Sequence, residues 1–334
     1  MVWHRTVTAT SSTIRFLVYG AGAIGGTIGG RLFEAGHDVT LVARGDHLTA
    51  LRDRGLDLVS AGGRSLLPVP VVGHPSEAKL ADGDVVVLAM KSQDTADAVA
   101  ALVAHAPPGI AVVCAQNGVE NERVVLRSFA HVYAMNVMCP ATHLEPGRVV
   151  VHSSPVSGLL DLGRYPEGVD DVAVDVAAAL SSATFASEPR ADIMRWKYRK
   201  LIMNLANVAL AVCGESPERR DLVRLLRAEG EAVFAAAGVD VISVDDDRRR
   251  RGDLLQQPPI PGVEGNGGST WQSLARGAGS IETDYLTGEV VLLGRLHGVP
   301  TPASALMQHL AAEAVAARRP PGHLPAAEVL TRLP

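Results

Sequence analysis

The sequence predicts an α/β fold in two parts: a mostly parallel sheet flanked by helices, followed by an all-helical region. Three observations carry this. A glycine-rich turn joins an apolar strand to a helix within residues 14–44. Short buried strands and helices then alternate through the first half of the chain. From Ile193 onward the periodicity is helical, interrupted by a Pro- and Gly-rich stretch at 256–268. At 334 residues the chain is long for one compact core, so two domains are expected. Their expected limits are 14–190 and 191–334, after a disordered tail at 1–13.

Composition narrows the function class. Apolar residues make up 47% but aromatics only 4%, so the cores must be built from Ala, Val and Leu. A net charge of −5 offers no electrostatic reason to expect nucleic acid or an anionic membrane as partner. No apolar run reaches membrane-span length. The leader "MVWHRTVTATSST" lacks the apolar core of a secretory signal, so it reads as a tail or as an upstream start. Cys114, Cys139 and Cys213 are odd in number, lack C-x-x-C spacing and sit among apolar neighbours. That usage fits small buried side chains in a reducing, cytoplasmic compartment. The 11 histidines show no metal-ligand spacing, and no metal is expected. The run "DDDRRRR" (Asp245 to Arg251) reads as a solvated, self-neutralised helix end or loop.

The first elements are read from "IRFLVYGAGAIGGTIGGRLFEAGHDVTLVAR", residues 14–44. Ile14 to Tyr19 is a continuous apolar run, suited to a strand buried on both faces. Gly20, Ala21, Gly22, Ala23, Ile24 and Gly25 then form G-x-G-x-x-G, a helix follows to about Ala35, and Gly36 suits its C′ position. "DVTLVAR" is the second strand. Strand, tight glycine turn, helix and strand within about thirty residues is the context that gives this motif meaning, a Rossmann-type dinucleotide site. Gly20 allows the sharp turn, Gly22 lets backbone approach a pyrophosphate, and Gly25 lets the helix sit close to the sheet. The helix N-terminus offers free N–H groups to phosphate.

The residue ending the second strand selects the cofactor. An acid there would accept from the ribose hydroxyls of NAD, but this chain has Arg44. A guanidinium suits a 2′-phosphate, so NADP(H) is favoured over NAD(H). The alternation continues with "DVVVLAMKS", a strand ending in Lys91, the helix "DTADAVAALVAHA", and "IAVVCAQNGVENE", a strand ending near Asn117. Ligands in open α/β sheets bind beyond the carboxyl ends of strands, where Arg44, Lys91 and Asn117 fall. The segments "HVYAMNVM", "GRVVVH", "PVSGLLDLG" and "ATFASE" read as short strands with few helices, adding antiparallel strands to the sheet before about residue 190.

In the second half, helices are expected at 193–213, 217–238, 268–297 and 302–317. The first, "RWKYRKLIMNLANVALAVCG" from Arg195, is apolar almost all round but carries Lys200, Asn204 and Asn207 at i, i+4 and i+7. These fall within roughly 60° of arc, one above another, with Trp196 on the same line. Such a stripe is either a solvated face or the wall of a wet pocket. Ser269 and Thr270 follow the 256–268 loop as N-cap candidates, where a carboxylate could sit. Further along, Glu282, Tyr285 and Glu289 share one side of the long helix, with Leu286, Val290, Leu292 and Leu293 on the packed side. Glu282 is the more interior of the two acids.

Taken in order, "GAGAIGG", Arg44, "AMKSQDT", "QNGVENE", "WKYRKLIMNLAN", "GGSTWQSLARG" and "IETDYLTGEVVLLGRLHGVPTP" resemble the ketopantoate reductases, also called 2-dehydropantoate 2-reductases. The resemblance spans roughly residues 14–320. It implies a Rossmann-type domain, a helical domain, and an active site in the cleft between them that reduces a 2-keto acid with NADPH. By that resemblance Lys200, directly before Leu201, matches the catalytic lysine, and Lys197 ranks second. Asn117 matches the asparagine near nicotinamide and substrate, and Asn204 the first substrate-binding helix asparagine. The second such asparagine falls at Val208 in the family pattern, whereas this chain has Asn207. The serine that binds the substrate carboxylate aligns with Thr270, beside Ser269. Glu282 matches the acid that pairs with the lysine, and Lys91, Asn117 and Glu282 also join the cofactor contacts. Two alternatives stay open: an opine-type or other keto-acid dehydrogenase on the same plan, and a protein that senses NADP(H) without turnover. The apolar late helices leave room for a homodimer.

Overall fold

The computed structural model of the protein describes residues 14–263, 267–277 and 279–334. The expectations for residues 1–13 and for the middle of the 256–268 loop lie outside these. Eight strands form the main sheet: β1 (Arg15–Tyr19), β2 (Asp38–Val42), β3 (Val71–Val72), β4 (Val85–Leu88), β5 (Ala111–Cys114), β6 (His131–Met138), β7 (Gly158–Arg164) and β8 (Phe185–Ala186). Their spatial order is β8-β7-β6-β5-β4-β1-β2-β3. Strands β1 to β6 run parallel, β7 runs antiparallel to β6, and β8 is parallel to β7. Val-rich β4 and β5 are buried along their whole length, as a parallel sheet covered on both faces requires. Chain order reverses between β1 and β4, which opens a crevice beyond their carboxyl ends.

The segment "GRVVVH" does not join this sheet. Arg148–Val151 pairs parallel with Leu56–Ser60 in a separate sheet of four strands, completed by Gly63–Leu67 and Ala141–Thr142. The helix Ala23–Glu34 lies between the two sheets, and small residues allow both approaches. A Cβ at Gly29 would lie 2.4 Å from Leu41 in the main sheet. One at Gly26 would lie 2.8 Å from Val149, and one at Gly30 2.9 Å from Leu56, in the smaller sheet. The expected helix after β4 is present as Thr95–Val103, and helices Gly45–Arg54, Asn121–Leu126 and Asp171–Ser182, none of them read from the sequence, accompany it in this half.

Helix Ile193–Cys213 keeps the limits its periodicity predicts. Its apolar sides, Leu201, Ile202, Leu205 and Val208, join Leu226, Phe234, Val290, Met307 and Leu310 in a second core. Arg219–Ala236 and Pro302–Ala316 are the neighbouring helices, close to expectation. The expected long helix at 268–297 is broken. Ser269–Ala275 ends before Gly277 (φ +63°), a 3-10 turn follows at Glu282–Tyr285, and Thr287–His297 is a separate helix. Two glycines, Gly277 and Gly279, interrupt the run, each costing about 1 kcal/mol inside a helix. Leu286, Val290 and Leu293 pack inward as expected, but Leu292 is 49% exposed because the break resets the helical phase.

The acid–base run forms the helix Val244–Arg251, capped by Ser243, with acids in its first turn and arginines in its last, matching the helix dipole. It is only partly solvated. Asp247 is buried against Arg251, and Arg250 donates to both carboxylate oxygens of the fully buried Asp161 on β7. The three cysteines are buried and free. Among the described residues no helix is long and apolar enough to cross a membrane, and no cluster of His, Cys, Asp or Glu is arranged to hold a metal ion.

Candidate active site

A cleft of about 1180 Å³ runs from the crevice beyond β1 and β4 to the polar stripe of helix Ile193–Cys213. One end is the glycine turn, with Gly20, Ala21, Gly22, Ala23 and Ile24 on its surface. Gly20 has φ +100°, and a Cβ there would lie 2.7 Å from Met90 N. A Cβ on Gly25 would lie 2.0 Å from Gly20 O, so Gly25 works beneath the surface by letting the helix close on the turn. At Gly22 a Cβ would meet nothing within 4 Å, which leaves the helix N-terminus open to the cleft.

Arg44 stands at the end of β2 with its side chain 86% exposed, and it donates to Asp94 at 3.4 and 3.5 Å. Asp97 lines the same wall. Lys91, after β4, donates to Ser273 Oγ. Burial pushes its ammonium below the usual lysine range, and Glu282 opposes that. Glu282 is buried and accepts from Ser92 N at 3.1 Å and Ser92 Oγ at 3.2 Å. Burial raises its carboxyl, opposed first by Lys91 and then by the Ser92 bonds.

Lys200 lines the same cleft as the glycine turn, and its Nζ donates to Val137 O on β6. Burial pushes the ammonium down to about 8. Glu282 makes no ion pair with it, contrary to the pairing implied by resemblance. Ser92 holds the carboxylate, Lys91 is the cation that most opposes its raised pKa, and Val137 O holds Lys200, whose ammonium Glu282 still favours at longer range. Lys197 does not reach the cleft. It is sealed against Glu122 and donates to Gln116 O at 3.0 Å. Trp196 also leaves the stripe, its ring lying under Arg190 at 4.1 Å.

Asn117, Asn204 and Asn207 all line the cleft. Asn204 is 7% exposed and its Nδ2 has no partner in the protein. Asn207 sits against Gly268, where a Cβ would lie 3.0 Å from its Oδ1. The capping expectation fails: Gly268 is the N-cap of Ser269–Ala275, so Ser269 and Thr270 are already helical and neither caps it. Ser269 faces the cleft, and its buried Oγ has no partner. Thr270 is 3% exposed and is not part of the cleft lining, whereas Ser269 is. The structure therefore brings together the glycine turn, Arg44, Lys91, Asn117, Lys200, Asn204, Asn207, Ser269 and Glu282.

Sequence reasoning missed several cleft residues. Gln272 and Arg276 line it at i+3 and i+7 from the expected Ser269, the same kind of polar stripe that marked Lys200. Gln272 donates to Ala141 O at 3.2 Å and Gly267 O at 3.0 Å, tying this helix to the loop before it. His47 and His143 also line the cleft, and no spacing in the sequence marks either one.

Residues 16–167 match the family model described as ketopantoate reductase PanE/ApbA, and residues 192–315 match its C-terminal counterpart. The chain belongs to the ketopantoate reductase family. The first match covers β1 to β7, and the second begins one residue before helix Ile193–Cys213. The 2-dehydropantoate 2-reductase of Halobacterium salinarum is 31% identical over 303 residues, covering 86% of this chain and 95% of that protein. The crystal structure of a PanE/ApbA family ketopantoate reductase from Ralstonia eutropha JMP134 superposes with a TM-score of 0.77 at 27% identity, covering 92% of this chain and 100% of that one. A D-mandelate dehydrogenase determined with NADH and anilino(oxo)acetate superposes with a TM-score of 0.78 at 21% identity, covering 92% and 100%, which is a likeness of fold. Ketopantoate reductase membership thus accounts for both halves of the chain.

Proposed function

We propose that this protein reduces 2-dehydropantoate, or a closely related 2-keto acid, to the 2-hydroxy acid with NADPH. The observation that carries this is the placement of Lys200 in one cleft with the open Gly22 turn. The cradle suits a dinucleotide, because Gly22 has free space above it and the helix N-terminus offers unshared N–H groups to phosphate. Arg44 would hold a 2′-phosphate, and Lys91, Asn117 and Glu282 would border the nicotinamide end. When bound, the reduced nicotinamide supplies a hydride to the C2 carbonyl carbon.

The chain's own residues handle position and proton. Lys200 as ammonium gives its proton to the carbonyl oxygen as alkoxide develops, and an acid near 8 remains charged at neutral pH while giving that proton readily. Asn204 Nδ2 and Ser269 Oγ lack partners, and each such buried group costs about 1–3 kcal/mol. A keto acid with its carboxylate at Ser269 and an oxygen at Asn204 removes both penalties. Glu282 acts at one remove: it balances Lys91 and anchors the Ser92 turn. Several relatives carry the name 2-dehydropantoate 2-reductase, among them the Halobacterium salinarum and Pyrococcus abyssi proteins, which supports the substrate class.

The test is a panel of 2-keto acids assayed with NADPH and NADH by loss of absorbance. Highest kcat/KM with 2-dehydropantoate and NADPH is expected. Tight cofactor binding with no oxidation by any keto acid overturns the proposal and favours redox sensing. Turnover that requires an added amino acid points instead to opine-type chemistry.

A further inference from the structure

The cations lining the cleft are mostly neutralised within the protein. Arg44 faces Asp94, Arg251 pairs with Asp247 at 2.7 Å, and Lys91 lies in the field of Glu282. Arg276 lines the cleft too, yet among the described residues it makes no ion pair. Among the described residues its guanidinium donates one hydrogen bond, to the backbone oxygen of His143. Partial burial without a counter-ion lowers its pKa, as expected of a cation that lacks its anion. The residue remains open to solvent, so an anion can reach it.

Its position is set by a short relay. The His143 ring lies 4.2 Å from that of His47. His47 Nδ1 accepts from Gly147 N at 2.8 Å, so the other ring nitrogen carries the proton and donates to Ala21 O at 2.7 Å. Ala21 belongs to the glycine turn. The relay thus runs from Arg276, on the helical half, to the turn that faces phosphate, and not toward Lys200, which is held by Val137 O.

We propose that Arg276 clamps the pyrophosphate of the dinucleotide from the helical side of the cleft, opposite the Gly20–Gly25 turn. This rests on the dinucleotide reading above. A cation there serves NADPH and NADH alike, whereas Arg44 distinguishes them. It also joins the two halves of the chain through the cofactor, so that dinucleotide binding favours a closed cleft.

The test compares the intact protein with Arg276→Ala and Arg276→Lys, titrating NADPH, NADH and adenosine 2′,5′-bisphosphate by calorimetry. The last ligand keeps the 2′-phosphate but has no pyrophosphate. Arg276→Ala is expected to weaken NADPH and NADH equally, by about tenfold, and to leave the bisphosphate within about twofold. Arg276→Lys should recover part of the loss. Unchanged dinucleotide affinity with a raised KM for the keto acid overturns the clamp and gives Arg276 to the substrate carboxylate. A loss confined to NADPH overturns it in favour of the 2′-phosphate. If the unaltered protein binds neither dinucleotide, the parent reading falls with it, a result distinct from either of these.

Discussion

Lys197 and Lys200 lie one turn apart on the same helix, yet Lys197 is locked to Glu122 with the two side chains 3% and 0% exposed, while Lys200 opens on the cleft. Removing one partner of a buried ion pair leaves an uncompensated charge, at a cost of about 3–5 kcal/mol. Lys197→Ala is therefore expected to lower the denaturant midpoint sharply. Lys200→Ala should keep the midpoint near that of the unaltered protein and lose about 10²–10⁴ in kcat. Unfolding curves and steady-state rates on both variants check this; equal effects on stability would argue against the division of labour.

The proposed role of Lys200 as proton donor carries a pH dependence. Lys200 must be protonated to donate, and its pKa is lowered to about 8 by burial. Reduction is expected to hold steady below that value and to fall as pH rises through it. The reverse oxidation, which needs the neutral amine, should rise over the same interval. Initial rates in both directions across the alkaline range give the sign, and a flat profile would remove Lys200 as proton donor.

Two glycines of one motif should fail differently. Gly25→Ala forces a methyl group to 2.0 Å from a backbone oxygen, so the turn must shift and the fold is expected to lose stability. Gly22→Ala meets nothing of the protein within 4 Å, so stability should be kept while dinucleotide affinity drops. Thermal unfolding with and without NADPH separates the two: the first variant melts early, and the second loses the shift conferred by ligand.

Cofactor choice is expected to follow Arg44. Its guanidinium is exposed and shared weakly with Asp94, so a 2′-phosphate can take it over. Loss of a charge-assisted bond of about 1.5–3 kcal/mol predicts a fall of roughly 10–100-fold in NADPH affinity for Arg44→Ala, with NADH nearly unchanged. Equal weakening of both would assign Arg44 a general role. Asp94→Asn should move the ratio the other way by freeing the arginine.

Legibility varied with the range of the interaction involved. The strand–turn–helix of residues 15–34 and the stripe on 193–213 were readable because they depend on residues a few positions apart. The helix expected at 268–297 failed because apolar spacing outweighed Gly277 and Gly279 in the reading, although glycine's cost in a helix is itself local. Gln272 and Arg276 continue from Ser269 a stripe that was readable at helical spacing. His47 carried none: its importance comes from reaching Ala21 and Gly147, 26 and 100 residues away.

Spacing in the chain alone determined the glycine turn, the alternation of strands and helices, the helical second half, and the shared face of Lys200, Asn204 and Asn207. Each follows from backbone geometry over one or two turns. Only tertiary structure decided which charges meet. Glu282 finds Ser92 across 190 residues, and Lys197 finds Glu122 across 75, leaving Lys200 to the cleft. The reason is physical: a buried charge takes whichever partner the packing of distant elements brings within reach, and no periodicity records that choice.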